Sequence, residues 1–140
     1  MSAISASQVK ELREKTGLGL MDCKKALEGA NGDMELAIEE LRKTSGVKAS
    51  KKSGRSAADG LIGIERKAQD IFMIEVNCET DFVARDDSFV AFTKETLQTF
   101  TGNPESSLEE LLNNGIEDNR EKLVQKLGEN IVVRRVAKTQ

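Results

Sequence analysis

Ile71-Phe72-Met73-Ile74-Glu75-Val76-Asn77-Cys78 puts Phe72, Ile74, Val76 and Cys78 on one side of an extended chain and Ile71, Met73, Glu75 and Asn77 on the other. That is the period of two of a strand with one strongly apolar face. Upstream, Leu61-Ile62-Gly63-Ile64 reads as a second strand and the polar stretch Glu65 to Asp70 as the connection, so the pair is expected to form a β-hairpin. Downstream, Asp87 opens a helical stripe of Phe89, Phe92, Leu97 and Phe100, closed by Gly102-Asn103-Pro104. Three of the five phenylalanines lie on that stripe, which makes it the face packed on the hairpin. Ser107 and Glu110, at capping-box spacing, start another helix before Leu111-Leu112, with Gly115 as its stop. Glu117 to Leu127 carries Leu123, Val124 and Leu127 and ends at Gly128, and Ile131-Val132-Val133 with Arg134, Arg135 and Val136 reads as a last strand. Residues 60–140 are thus expected to be an α+β unit around a three-stranded antiparallel sheet.

Toward the N-terminus the period becomes helical. Ser5 and Gln8 make a capping-box pair, Val9 and Leu12 share a face, and Thr16-Gly17 ends a helix of about two turns. Cys23, Ala26 and Leu27 mark a second helix between Asp22 and Ala30, and Asn31-Gly32 is a turn. Asp33 caps a third helix with Met34, Ala37, Ile38 and Leu41 on one stripe. Residues 1–43 are therefore expected as a small three-helix module. Residues 44–59, rich in Ser, Gly, Ala and Lys and without an acid until Asp59, read as an exposed basic linker with room for some helix.

Composition bounds the chemistry. The 140 residues are 38% hydrophobic and 32% charged, with one Pro, no Trp, no Tyr and no His, as in a globular protein with an aliphatic core. A formal net charge of −3 argues against wholesale nucleic-acid binding and leaves only a local basic patch, at Lys43 to Arg55 or Arg134-Arg135, with no aromatic residues interleaved for base stacking. The absence of His removes His-based acid–base catalysis, Ser/His and Cys/His nucleophile pairs and His-containing zinc sites. Cys23 and Cys78 are isolated and are expected to be buried or half-buried thiols. No apolar run approaches the roughly 20 residues of a bilayer span, and Met1-Ser2-Ala3-Ile4 lacks a signal-peptide pattern, so a cytoplasmic location is expected.

One segment fits neither neighbouring period. Cys78-Glu79-Thr80-Asp81-Phe82-Val83-Ala84-Arg85-Asp86-Asp87 carries a Phe and a Val among five charged residues. Either Phe82 and Val83 fold back on the hairpin, with Asp81 as an N-cap, or they are shown to a partner. The acids Glu79, Asp81, Asp86 and Asp87 are the one cluster that could in principle hold Mg²⁺ for an enzyme reading.

Two blocks resemble the signatures of a known family, the bacterial and organellar elongation factor Ts proteins. The first is Val9-Lys10-Glu11-Leu12-Arg13 through Thr16-Gly17, Met21-Asp22-Cys23-Lys24-Lys25-Ala26-Leu27 and Asn31-Gly32-Asp33; the second is Asn77-Cys78-Glu79-Thr80-Asp81-Phe82-Val83-Ala84. Gly128-Glu129-Asn130-Ile131 through Arg134-Arg135-Val136-Ala137 resembles a further family segment, in the same order. The resemblance implies a module similar to ubiquitin-associated domains, a basic linker and an α+β core whose second half, with a coiled-coil insertion, is missing beyond Gln140. It also implies guanine-nucleotide exchange on elongation factor Tu, without covalent chemistry, cofactor or metal of its own. Asp81 and Phe82 fall on the family's wedge positions, beside the partner's magnesium and phosphate site, and Thr80 and Val83 flank them as further partner-binding residues. Leu12, Leu18, Leu20 and Met21 are weaker candidates, for docking or for holding the bundle together. The chain is expected to be a truncated form with reduced exchange activity and no oligomer through the missing region.

Overall fold

The computed structural model describes residues 3–139; Met1 and Ser2, read above for a leader, and Gln140, where the chain stops, lie outside the described residues. Local chemistry sets the first helix ends. In α1 (Ala6–Thr16) the Ser5 hydroxyl accepts from the Gln8 N–H while the Gln8 side chain accepts from the Ser5 N–H, and Gly17 closes the helix in the left-handed region at φ 72°. Its 11 residues make three turns, not two. α2 (Leu20–Gly29) starts two residues ahead of Asp22. α3 (Met34–Lys52) is capped by the Asp33 carboxylate, which accepts from the Leu36 N–H. Leu12, Leu18, Cys23, Leu27, Ala37 and Leu41 are the centre of a small core between these helices.

The expected linker is corrected by α3. Residues 44–52 are not an exposed connector but the C-terminal half of this one helix, and only residues 53–58 join it to the sheet. Ala37, Leu41, Ser45 and Ala49 recur every fourth residue as a single buried stripe. Ala37 and Leu41 belong to the small core, whereas Ala49 belongs to the larger one. Ser and Ala carry little hydrophobic signal, yet their small side chains let α7 (Glu117–Leu127) lie close against α3.

The sheet is β1-β2-β3, all antiparallel: β1 (Asp59–Lys67), β2 (Asp70–Cys78) and β3 (Val132–Thr139). Glu65, Arg66 and Lys67, expected in the connection, are paired strand residues, opposite Phe72, Ile71 and Asp70. The turn shrinks to Ala68 and Gln69, with Ala68 at φ 57°. Side-chain polarity did not reveal this because β1 is an edge strand, where polar residues reach water while the backbone still pairs. In β3, Arg134 is the extra residue of a bulge between the pairs Val133 with Val76 and Arg135 with Glu75.

α4 (Asp81–Ala84), α5 (Asp87–Gly102), α6 (Leu108–Leu111) and α7 complete the larger unit. α5 buries the expected stripe of Phe89, Phe92, Leu97 and Phe100. The Phe100 ring meets Phe72 of β2 edge-on, with centroids 5.4 Å apart at 88°. Ser107 and Glu110 form the expected capping box, and Asn114 and Gly115 break the helix between α6 and α7. The fold is the expected α+β class: a helical N-terminal module followed by a small core with a three-stranded antiparallel sheet.

Candidate functional site

The chain leaves β2 at Cys78, whose buried thiol donates to the Thr80 carbonyl at 3.2 Å. The Thr80 hydroxyl accepts from the Val83 N–H at 3.3 Å and so caps α4, which corrects the reading of Asp81 as the cap. Asp86 caps the next helix, its Oδ1 accepting from Ser88 N–H at 2.8 Å and Phe89 N–H at 3.3 Å. The single turn of α4 is thereby divided. Val83 and Ala84 face the larger core, while Asp81 and Phe82 face outward. Phe82 is 82% exposed, the highest value among the exposed large hydrophobic side chains of the described residues. The carboxylate of Asp81 lies 3.6 Å from Arg85 at the surface.

Two loops hold this tip by exchanging carboxylates. Glu129, between α7 and β3, accepts from the backbone N–H groups of Glu79 at 3.1 Å and Thr80 at 3.0 Å, and from the Thr80 hydroxyl at 2.7 Å. In return, Glu79 accepts from the Asn130 N–H at 2.6 Å and faces the Arg55 guanidinium at 3.5 Å. Asn130, 2% exposed, donates from Nδ2 to the Arg55 carbonyl at 2.9 Å. Burial, and then the nearby charge of Glu129, push the Cys78 thiol up from 9.0 to about 11, so it stays protonated near neutrality and is a poor nucleophile.

The arrangement presents a benzyl group on an anchored turn. Three of the four carboxylates of the acidic segment are turned to separate tasks: Glu79 to Asn130 and Arg55, Asp81 to Arg85, Asp86 to a helix cap. Among the described residues, no three His, Cys, Asp or Glu side chains form a group able to hold a metal ion.

A family model described as Elongation factor TS matches residues 79–140, the stretch that begins at Glu79 and contains both the tip and its tether. Over 142 residues the chain is 53% identical to Elongation factor Ts of Marinobacter nauticus, covering 100% of this chain and 49% of that protein. It is 51% identical over 139 residues to Elongation factor Ts of Hahella chejuensis, covering 98% and 49%, and 52% identical over 137 residues to that of Salmonella agona, covering 98% and 48%. The chain belongs to the elongation factor Ts family. It spans about half the length of the curated relatives it matches.

In this member of the elongation factor Ts family, the four weaker candidates separate by burial. Leu12 and Leu18, at 0% and 3% exposed, fill the small core and offer no free docking surface. Leu20 and Met21, at 53% and 72% exposed, stand on the first turn of α2. Several cations of the suggested basic patches have partners within the chain: Arg134 donates to Asn77 Oδ1 at 2.9 Å, Arg135 to Glu75 at 2.7 Å, and Lys48 lies 3.8 Å from Asp22. Sequence reading missed Glu129 and Asn130 as parts of the site. Both lie in the Gly128 to Ile131 block that resembles the family, but their partners are about fifty positions away, beyond the reach of any local spacing rule.

Proposed function

We propose that this chain is the part of a guanine-nucleotide exchange factor that opens the nucleotide site of elongation factor Tu, with Asp81 and Phe82 as the wedge. The observation that carries the reading is Phe82: a large apolar side chain, 82% exposed, on a turn too well tethered to fold back. Left in water, such a group has no stabilising role within the chain; inserted between elements of a partner, it gains the burial it lacks here. Displacing elements beside the partner's Mg²⁺ and phosphate-binding loop removes ligands from both, so GDP leaves faster. By linkage, the chain and the nucleotide then weaken each other's binding to the same degree. No covalent bond is made or broken by the factor.

In this reading the helical module, with the likeness to ubiquitin-associated domains noted above, docks through Leu20 and Met21, and the core carries the wedge. The setting is translation elongation in the cytoplasm, and among the described residues no helix is long and apolar enough to cross a membrane.

Fluorescent-GDP release from elongation factor Tu, measured beside direct binding, tests the reading. At saturating chain, Asp81→Ala and Phe82→Ala should each slow release roughly tenfold, about 1.4 kcal/mol of lost transition-state stabilisation, with a smaller change in affinity. Release at the parent rate with confirmed occupancy would sink the wedge.

A further inference from the structure

The geometry points to Glu129 as a positioning residue: we infer that its carboxylate, without touching the partner, holds the Asp81–Phe82 turn stiff enough to act as a wedge. This rests on the exchange reading above. An isolated four-residue helical turn has almost no stability of its own, because nucleation orders several residues for a single hydrogen bond. Besides the Thr80 cap, two things resist its yielding. One is the inward packing of Val83 and Ala84. The other is Glu129, which gathers three donors of the strand-to-helix junction at 3.1, 3.0 and 2.7 Å, all of them charge-assisted.

Neither backbone N–H has another partner to turn to, since β2 ends at Cys78 and α4 begins only at Asp81. Glu129 is in turn held from the far side, where the neighbouring Asn130 is buried and donates its backbone N–H to Glu79 at 2.6 Å. The load path from Phe82 therefore runs through Thr80 and Glu129 into α7 and β3, and the ordering cost of the turn is met before any partner arrives.

The test uses the 140-residue chain with Glu129→Ala, Glu129→Gln, Phe82→Ala and the double variant Glu129→Ala/Phe82→Ala, checking each fold by its melting curve. Amide hydrogen exchange at Glu79 and Thr80 reports the tether without any partner, and fluorescent-GDP release at saturation reports the wedge. In Glu129→Ala, exchange at those two amides should rise about tenfold while the centre of β2 stays protected, and GDP release should slow about tenfold with little loss of affinity. Glu129→Gln keeps a carbonyl oxygen for the amides and should recover most of both. In the Phe82→Ala background, removing Glu129 should slow release no further, because the two act as one unit. An equal additional loss in that background, or parent-rate release from Glu129→Ala, would overturn the assignment; so would unchanged amide protection. If Phe82→Ala alone left release unchanged, the exchange reading would fall instead, and the tether would be judged by amide exchange.

Discussion

Phe82 and Phe92 are ten positions apart and chemically identical, and they sit at opposite extremes of the molecule. Phe92 is 4% exposed on the stripe of α5, whereas Phe82 is 82% exposed. Phe92→Ala should therefore cost about 3–5 kcal/mol in urea denaturation, and Phe82→Ala less than about 0.5 kcal/mol. Equal large losses would place Phe82 in the core and remove the case for a wedge. Cys78 gives a second residue-scale prediction. Its folded-state value is raised from 9.0 to about 11, so the protonated thiol is favoured in the native protein, chiefly by burial. That contribution is complete below the ordinary value and is lost as pH rises through the folded one. Comparing denaturation below pH 9 with denaturation near pH 11, Cys78→Ala should flatten part of the parent's loss of stability over that interval. An unchanged slope would mean that the thiol is better solvated than its position implies.

At the scale of elements, α3 changes what a protease should find. An exposed linker over residues 44–59 would be open to trypsin at Lys48, Lys51, Lys52 and Arg55, but Lys48 is inside a helix whose next residue, Ala49, is 1% exposed. Limited trypsin digestion should cut first after Lys52 or Arg55, where residues 53–56 are exposed and non-helical. First cleavage after Lys48 would show that the second half of α3 frays. β1 offers a sharper test. Gly60 has φ 148°, and a Cβ added there would collide with the Val76 carbonyl oxygen and lie 2.8 Å from the Asn77 Cα across the ladder. Gly60→Ala should thus cost roughly 2 kcal/mol or more, seen as a lowered midpoint of thermal unfolding.

For the molecule as a whole, the question is how the helical module and the core are joined. Ser45, 1% exposed on α3, donates to the side-chain oxygen of Gln125 on α7, and Gln125 Nε2 donates to Asp22 of α2 at 3.2 Å. One side chain of the core thereby bridges two helices of the module. With α3 contributing Ala37 to one core and Ala49 to the other, the parts are coupled by a continuous helix and a polar bridge. Gln125→Ala leaves the buried Ser45 hydroxyl without that partner, a cost of about 1–3 kcal/mol. Hydrogen exchange should show amides of α1 and α2 losing protection while those of β2 keep theirs. Uniform loss across both parts would mean that the bridge supports the whole fold and does not set the join.

Sequence alone determined whatever depends on neighbours a few residues apart. The Ser5–Gln8 and Ser107–Glu110 boxes, the Asp33 cap, the alternation of β2 and the phenylalanine stripe of α5 are written in local spacing and appear as read. The motif Thr80-Asp81-Phe82-Val83 was equally legible, as was the family resemblance. Tertiary structure decided the rest, because those choices are made by partners remote in the chain. Ser45 and Ala49 became an interface only because α7 came to lie against α3, and Glu65 to Lys67 became strand only because β2 offered them a ladder. Burial sorted Leu12 and Leu18 from Leu20 and Met21, although all four are apolar and lie within ten positions. Glu129, separated from Thr80 by 49 residues, is joined to it by hydrogen bonds that exist only once the sheet has brought the ends of β2 and α7 together.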